Sequence, residues 1–197
     1  LIRFSDGEHF EEIKEDLDNL IRLGIRLESI TTDGQKGILK AIKTSAPDLI
    51  VQRCLVHIQR MALIWLTKYP KHVSGQQLRR LVLMLLNIKS HNDKIYWVRS
   101  LGEWYGQHRE YLNERSVNTQ TGRYWYTHKL IRRSYFTIKR ALPNMFHYLN
   151  NPKIPLTTNG IEGFFSHLKN HLDLHRGLTP RHRVDFIKWY VFLSNKK

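Results

Sequence analysis

Apolar residues recur at helical spacing at Phe10, Ile13, Leu17, Leu20 and Ile21, with acids on the opposite side, which predicts an amphipathic helix. Ser5 and Glu8 precede it with the spacing of a capping box, and Gly24 predicts its end. Leu1-Ile2-Arg3-Phe4 reads as the tail of a strand ahead of that helix. The period then changes. In residues 26–32, Leu27 and Ile30 are apolar and Thr31 and Thr32 are β-branched, so a short strand is expected that stops at Asp33-Gly34. Ile38, Leu39 and Ile42 predict a helix over 35–44, broken by Pro47. Leu49-Ile50-Val51 follows as a second strand, apolar throughout and expected to be buried on both faces. Strand, helix and strand of these lengths make a βαβ unit with a parallel pair.

From residue 58 to about 148 the character is helical. Segments 58–69, 76–89, 92–113 and 128–142 are long, rich in Leu, Trp and Tyr, and spaced like helices, with breaks at Pro70, Gly75 and 118–122. No strand is expected in this block. Asn150-Asn151-Pro152-Lys153-Ile154-Pro155 reads as a rigid, extended connector. Thr157 or Thr158 then caps a helix with Ile161, Phe164, Phe165 and Leu168 on its inner face. Thr179-Pro180 opens a last helix whose apolar side is Val184, Ile187 and Val191, with Trp189 nearby. The class is α/β, divided as residues 1–57, a helical insertion over 58–150, and C-terminal helices over 151–197 that complete the first unit.

Hydrophobic content of 41% and charged content of 25% are those of a soluble globular chain. No apolar run reaches the roughly 18–20 residues that span a bilayer, so no membrane role is expected. One cysteine, Cys54, excludes an internal disulfide. Charge changes the picture most: 32 Lys+Arg stand against 17 Asp+Glu. Residues 1–28 hold eight of the acids and four bases, and no acid occurs between Glu114 and Glu162. A basic surplus of this kind favours a polyanionic partner, nucleic acid first.

Two carboxylates stand out by position. Asp33 ends a strand, and ligands and metals collect at the C-terminal edge of open α/β sheets. Glu162 lies just inside a helix start. Each also has a plain structural explanation, as a turn residue and as a first-turn helix acid. Cys54 and His57 supply half of a zinc site, with His167, His171 and His175 at helical spacing as the other donors available. Zinc is disfavoured, because no second Cys pair exists; Cys54 is expected to pack as a small buried residue and His57 to donate a hydrogen bond near the acids. Between residues 123 and 140, bases and rings interleave. Arg132, Arg133, Lys139 and Arg140 are expected to touch phosphates, while most of the rings are structural.

Thr32-Asp33-Gly34, Arg53-Cys54-Leu55-Val56-His57 and Thr158-Asn159-Gly160-Ile161-Glu162-Gly163, in that order and around a helical block, resemble the second acid, the Cys-x-x-His signature and the terminal Glu of bacterial insertion-sequence transposases related to the Mutator-like elements. The resemblance implies a ribonuclease-H-like core, here partial, interrupted by the helical insertion. It implies a DDE triad that binds two Mg²⁺ ions, with Asp33 and Glu162 as metal ligands and His57 beside them, for phosphodiester hydrolysis and strand transfer in DNA transposition. DNA would be the partner, a homo-oligomer the working form, and the bacterial cytoplasm, in association with the nucleoid, the location. Gly34 and Gly160 would let backbone and phosphate approach. The family's first Asp lies on an earlier strand than any seen here, and Asp6, at a helix cap, is rejected as its substitute. The chain is therefore expected to lack that acid and not to cleave DNA alone. A non-catalytic nucleic-acid-binding remnant of the same fold is the alternative, and a nuclease outside transposition is disfavoured by the large insertion.

Overall fold

The computed structural model describes residues 9–194; the expected first strand, the Ser5–Glu8 capping box and Asp6 lie outside them. Helix α1 (Phe10–Arg22) ends in a Schellman closure, in which Gly24 at φ +76° donates its N–H to Ile21 O and Ile25 N–H reaches back to Leu20 O. That closure occupies the residues up to Ile25, and β1 (Ser29–Thr32) starts three residues later than its pattern suggests. After α2 (Lys36–Ser45), β2 (Ile50–Arg53) pairs in parallel with β1, Ser29 opposite Ile50 and Thr32 opposite Arg53. The expected βαβ unit is present. Its core is small: Leu17, Ala41 and Ile42 are buried, with Phe10, Ile13, Ile30 and Val51 packed around them.

One expectation about β2 fails. The strand is not buried on both faces, because among the described residues its sheet has only two strands, and Ile50 stays 41% exposed. The fully buried residue is the polar Gln52. Its amide Nε2 donates to Met145 O and Arg53 O, and its Oε1 accepts His147 N–H, each at 2.8–2.9 Å. Every strong hydrogen-bonding end of the amide is thereby engaged, which is what allows it to be buried.

The helical block comprises α3 (Leu55–Leu66), α4 (Val73–Met84), α5 (His91–Asn113) and α6 (Lys129–Ala141), close to their predicted spans. Its core joins Leu55, Ile58, Leu78, Val82, Trp97, Leu112, Ile138 and Met145, all at most 2% exposed, and each such side chain contributes roughly 1.5–3 kcal/mol by leaving water. The indole N–H groups find carbonyls: Trp97 donates to Leu81 O and Trp104 to Ser74 O. Ser90 and Asp93 form a reciprocal capping box at the start of α5.

The block also holds a hairpin that periodicity missed. β3 (Arg115–Val117) and β4 (Tyr124–Tyr126) pair antiparallel across a turn organised by the Asn118 side chain, which accepts Gln120 and Thr121 N–H, and closed by Gly122 at φ +67°. Three-residue strands are too short for alternation to register. Tyr124 and Trp125 are consequently exposed on a strand, rather than helical core.

Residues 150–155 are not extended. Asn151 makes a compact turn, its side chain accepting Lys153 N–H and its carbonyl Ile154 N–H, and Ile154 is buried. In α7 (Asn159–Leu174) only Leu168 is buried, and Ile161 and Phe165 are 63% and 54% exposed, against the expected inner face. α8 (Pro180–Ser194) begins as predicted, with Thr179 Oγ1 accepting His182 N–H. It buries none of its residues fully; Phe186 and Tyr190 lie against Phe164 and His171 of α7 and His175 just after it.

Candidate functional site

Asp33 follows directly on β1, at the C-terminal end of the parallel pair, where Arg53 ends β2 and Cys54 and His57 open α3. Its Oδ1 accepts Gln35 N–H at 3.0 Å, and Thr32 Oγ1 accepts Gly34 N–H at 3.2 Å. Two small turns of side chain on backbone thus fix the carboxylate at the strand end. Arg53 crosses the turn from beneath, donating from Nη2 to Asp33 O at 2.7 Å. Its guanidinium lies where a Gly34 side chain would be: a Cβ there would stand 1.9 Å from Arg53 Cζ, and Gly34 sits at φ +83°. The sequence suggested room for a phosphate at Gly34; the group actually accommodated is this guanidinium. Burial draws the Arg53 pKa below its ordinary value, the Asp33 charge working against that, and its Nε is buried without a hydrogen-bond partner.

Glu162 is brought over the same edge by the connector. Thr31 Oγ1 donates to Pro155 O at 2.7 Å, and Leu55 N–H donates to Leu156 O at 3.0 Å. These bonds pin the residues before α7 to the ends of β1 and β2. Thr158 N–H then donates to the buried Cys54 Sγ at 3.4 Å. The Thr158 hydroxyl, 3.3 Å from the same sulfur, has one proton, and its shorter contact is to Glu162 Oε1 at 2.8 Å. As N-cap of α7, Thr158 therefore spends its side chain on the carboxylate and not on the helix's N–H groups.

Asp33, His57 and Glu162 line one open cavity of about 520 Å³, together with Thr31, Thr158 and Lys169. His57 Nδ1 stands 3.5 Å from Glu162 Oε1, buried and without a hydrogen bond, so the expected donation from His57 is a proximity here. Both carboxylates are half-buried and face solvent through the cavity. Hard oxygen donors of this kind suit Mg²⁺, which keeps several waters and takes one or two carboxylates plus substrate phosphates. Among the described residues, no group of three or more His, Cys, Asp or Glu is arranged to hold a metal. Asp33 and His57 also border a second cavity of about 250 Å³, with Arg53, Met61 and Thr137.

The predicted basic residues all lie on α6 and differ in surroundings. Arg132 is half-buried, its guanidinium 3.8 Å from the Tyr126 ring and 4.6 Å from Phe136, and it donates to Asn113 Oδ1. It ties the hairpin to α5 and α6. Arg133 is exposed over Trp65 at 4.6 Å, Lys139 is exposed over Tyr105 at 5.3 Å, and Arg140 is exposed. Arg53 and Thr158 are site residues without a predicted site role: both stand in the motifs that carry the family resemblance, and Thr158 is expected only as one of two alternative helix caps. Thr158 had a readable signal, its i, i+4 spacing from Glu162. Arg53 had none, since only the register of β2 on β1 puts it under Gly34.

No helix among the described residues is long and apolar enough to cross a membrane. Neither the curated proteins nor the solved structures include a match to this chain. A family model does match: that of the transposases of the Mutator family, over residues 3–133. The matched span takes in Asp33, Cys54, His57, Arg132 and Arg133, while Glu162, Lys139 and Arg140 lie beyond it. Covering about two thirds of the sequence, the match shows that this chain belongs to the Mutator family of transposases, and DNA is the partner that membership implies.

Proposed function

We propose that Asp33 and Glu162 are two acids of a DDE-type divalent-metal site in a ribonuclease-H-like catalytic domain, serving phosphodiester hydrolysis and strand transfer in DNA transposition. One observation carries this: two carboxylates 129 positions apart in the chain line a single open cavity at the C-terminal end of a parallel strand pair. When bound, a pair of Mg²⁺ ions supplies charge stabilisation to the attacking and leaving oxygens of an in-line displacement. The chain's own residues do the holding. The turn at 32–35 fixes Asp33, and Thr158 orients Glu162. His57, whose Nδ1 stands 3.5 Å from Glu162 Oε1, holds a proton near the reacting phosphate in this reading. Exposed Arg133, Lys139 and Arg140 take backbone phosphates, and Arg132 braces the hairpin that flanks them. A working homo-oligomer belongs to the same proposal.

Iron-directed cutting tests the site. Fe²⁺ substituted for Mg²⁺ and treated with ascorbate and peroxide cleaves the backbone beside its ligands. Cuts are expected next to both Asp33 and Glu162, competed by Mg²⁺ and lost in Asp33→Asn/Glu162→Gln. Cutting elsewhere, or cutting indifferent to those substitutions, sinks the proposal. The absence of a ready three-ligand group among the described residues favours a second reading, a nucleic-acid-binding relative without chemistry. That reading predicts DNA binding with no directed cuts.

A further inference from the structure

A third cavity, about 350 Å³, opens where α3 ends and α6 begins, away from the acids. Trp65 forms one wall. Tyr111 forms another, stacked between His72 at 3.9 Å and His128 at 3.5 Å. Lys71 and Lys129 stand at the rim, both exposed, and Arg133 lies over Trp65. No acid lines it; the nearby Glu114 is occupied by His128 at 2.8 Å. Flat rings beside cations, without carboxylates, form a surface complementary to a base and its phosphate. The volume falls within the range of small-ligand sites.

The cavity's place relative to Asp33 sharpens this. α3 and α6 pack antiparallel, Ala62 against Ser134 and Trp65 against Arg133. On α3, His57 and Met61 border the cavity that Asp33 lines, and Trp65 borders this one. On α6, Thr137 borders the former, Arg133 lies between, and Lys129 borders the latter, three residues at i, i+4 and i+8. The two cavities therefore lie in line along the α3–α6 pair, one beside the acid and one beside the rings. His57 to Trp65 is eight residues of helix, about 12 Å. That is about three or four nucleotides at the roughly 3.4 Å spacing of a stacked strand.

We propose that this cavity binds one unpaired nucleotide of the DNA strand engaged at Asp33, its base against Trp65 and its phosphate between Lys71 and Lys129. The proposal rests on the reading of Asp33 as a mark of the phosphodiester site. The intervening backbone runs along the α3–α6 pair, past the exposed Arg133. Unpaired character fits a base from within the strand, which must leave its stack before it can lie against Trp65.

The test compares two DNA probes of one sequence, fully paired or with a four-nucleotide unpaired flank carrying 2-aminopurine, by anisotropy and by 2-aminopurine fluorescence. The flanked probe is expected to bind about tenfold tighter, with quenching at one flank position. Lys71→Ala/Lys129→Ala, at exposed positions, should abolish that preference and leave the paired probe's affinity within about twofold; Trp65→Leu should abolish the quenching. Equal affinity for the two probes overturns the proposal. So does a preference that survives the double substitution, or a loss shared equally by both probes. Iron-directed cutting on the same preparation separates the two claims. Cuts at Asp33 and Glu162 without flank preference refute this site alone, and a Lys71- and Lys129-dependent flank preference without cuts refutes the metal site alone.

Discussion

The hydroxyl of Thr158 donates to Glu162 Oε1 at 2.8 Å, and Thr158 Oγ1 itself lies 3.3 Å from the buried sulfur of Cys54. A residue placed to cap a helix instead aims a carboxylate, and Cys54, fixed at the end of β2, sets where that residue stands. Thr158→Val removes the bond and keeps the shape. Divalent-ion affinity, read from the iron concentration that half-saturates cutting beside Glu162, is expected to fall roughly fivefold, the equivalent of about 1 kcal/mol. Thr158→Ser should restore it. If valine and serine behave alike, Thr158 does not orient the acid.

Gly34 and Arg53 form a second pair open to test. Gly34→Ala meets a positive φ, worth about 1–2 kcal/mol, and also displaces the guanidinium that lies against it. Arg53→Ala removes the obstacle but not the backbone strain. In urea unfolding, the double variant is expected to lose less stability than the sum of the single losses, by about 0.5 kcal/mol or more. Strict additivity would show that the guanidinium does not occupy this place in solution.

Gln52 joins the βαβ unit to the helical block through Met145 and His147. Gln52→Met preserves much of the volume and strands the His147 N–H and the Met145 C=O, besides removing a bond to the partly buried Arg53 C=O. A loss of about 2–4 kcal/mol in unfolding free energy is expected, one unmade buried bond at each group. A change under about 0.5 kcal/mol would mean that water reaches both.

Tyr148 donates its hydroxyl to Ile88 O, and burial, with a smaller push from Asp93, raises its pKa to about 12. The sign follows from proton counts. Between pH 10 and 12 the unfolded chain loses this proton while the folded chain keeps it, so stability contributed by Tyr148 is intact below pH 10 and lost as pH rises towards 12. Tyr148→Phe should flatten that part of the alkaline stability curve. An unchanged slope would place the hydroxyl in contact with water.

Arg133, Lys139 and Arg140 are exposed on one helix. Replacing all three by Ala should reduce the slope of log K against log salt for duplex DNA by about 2.7, at about 0.9 per phosphate contact. An unchanged slope would move the DNA path off α6.

What could be read from the chain follows element length. The helices from Leu55 to Ala141 carry enough turns for their apolar spacing to show, and Asp33 and Glu162 stand out by their places at a strand end and a helix start, within motifs whose order resembles the family's. The hairpin at 115–126 has strands of three residues, below the length at which alternation is a signal. Gln52 was illegible for another reason: its burial depends on Met145 and His147, more than ninety positions away. Likewise Ile161 and Phe165 have the spacing of an inner face, but on α7 they border the open cavity with Glu162 rather than a core. Local pattern cannot tell a packed face from one that lines a site.

The bond from Leu55 N–H to Leu156 O closes about a hundred residues into a single excursion that leaves and rejoins the parallel strands at one point. Lengthening or shortening such an excursion costs little in chain entropy, since closure grows only with the logarithm of loop size. The geometry between the two carboxylates is thereby insulated from the size of whatever is hung between them, and the helices can be remodelled while the two acids stay where they are.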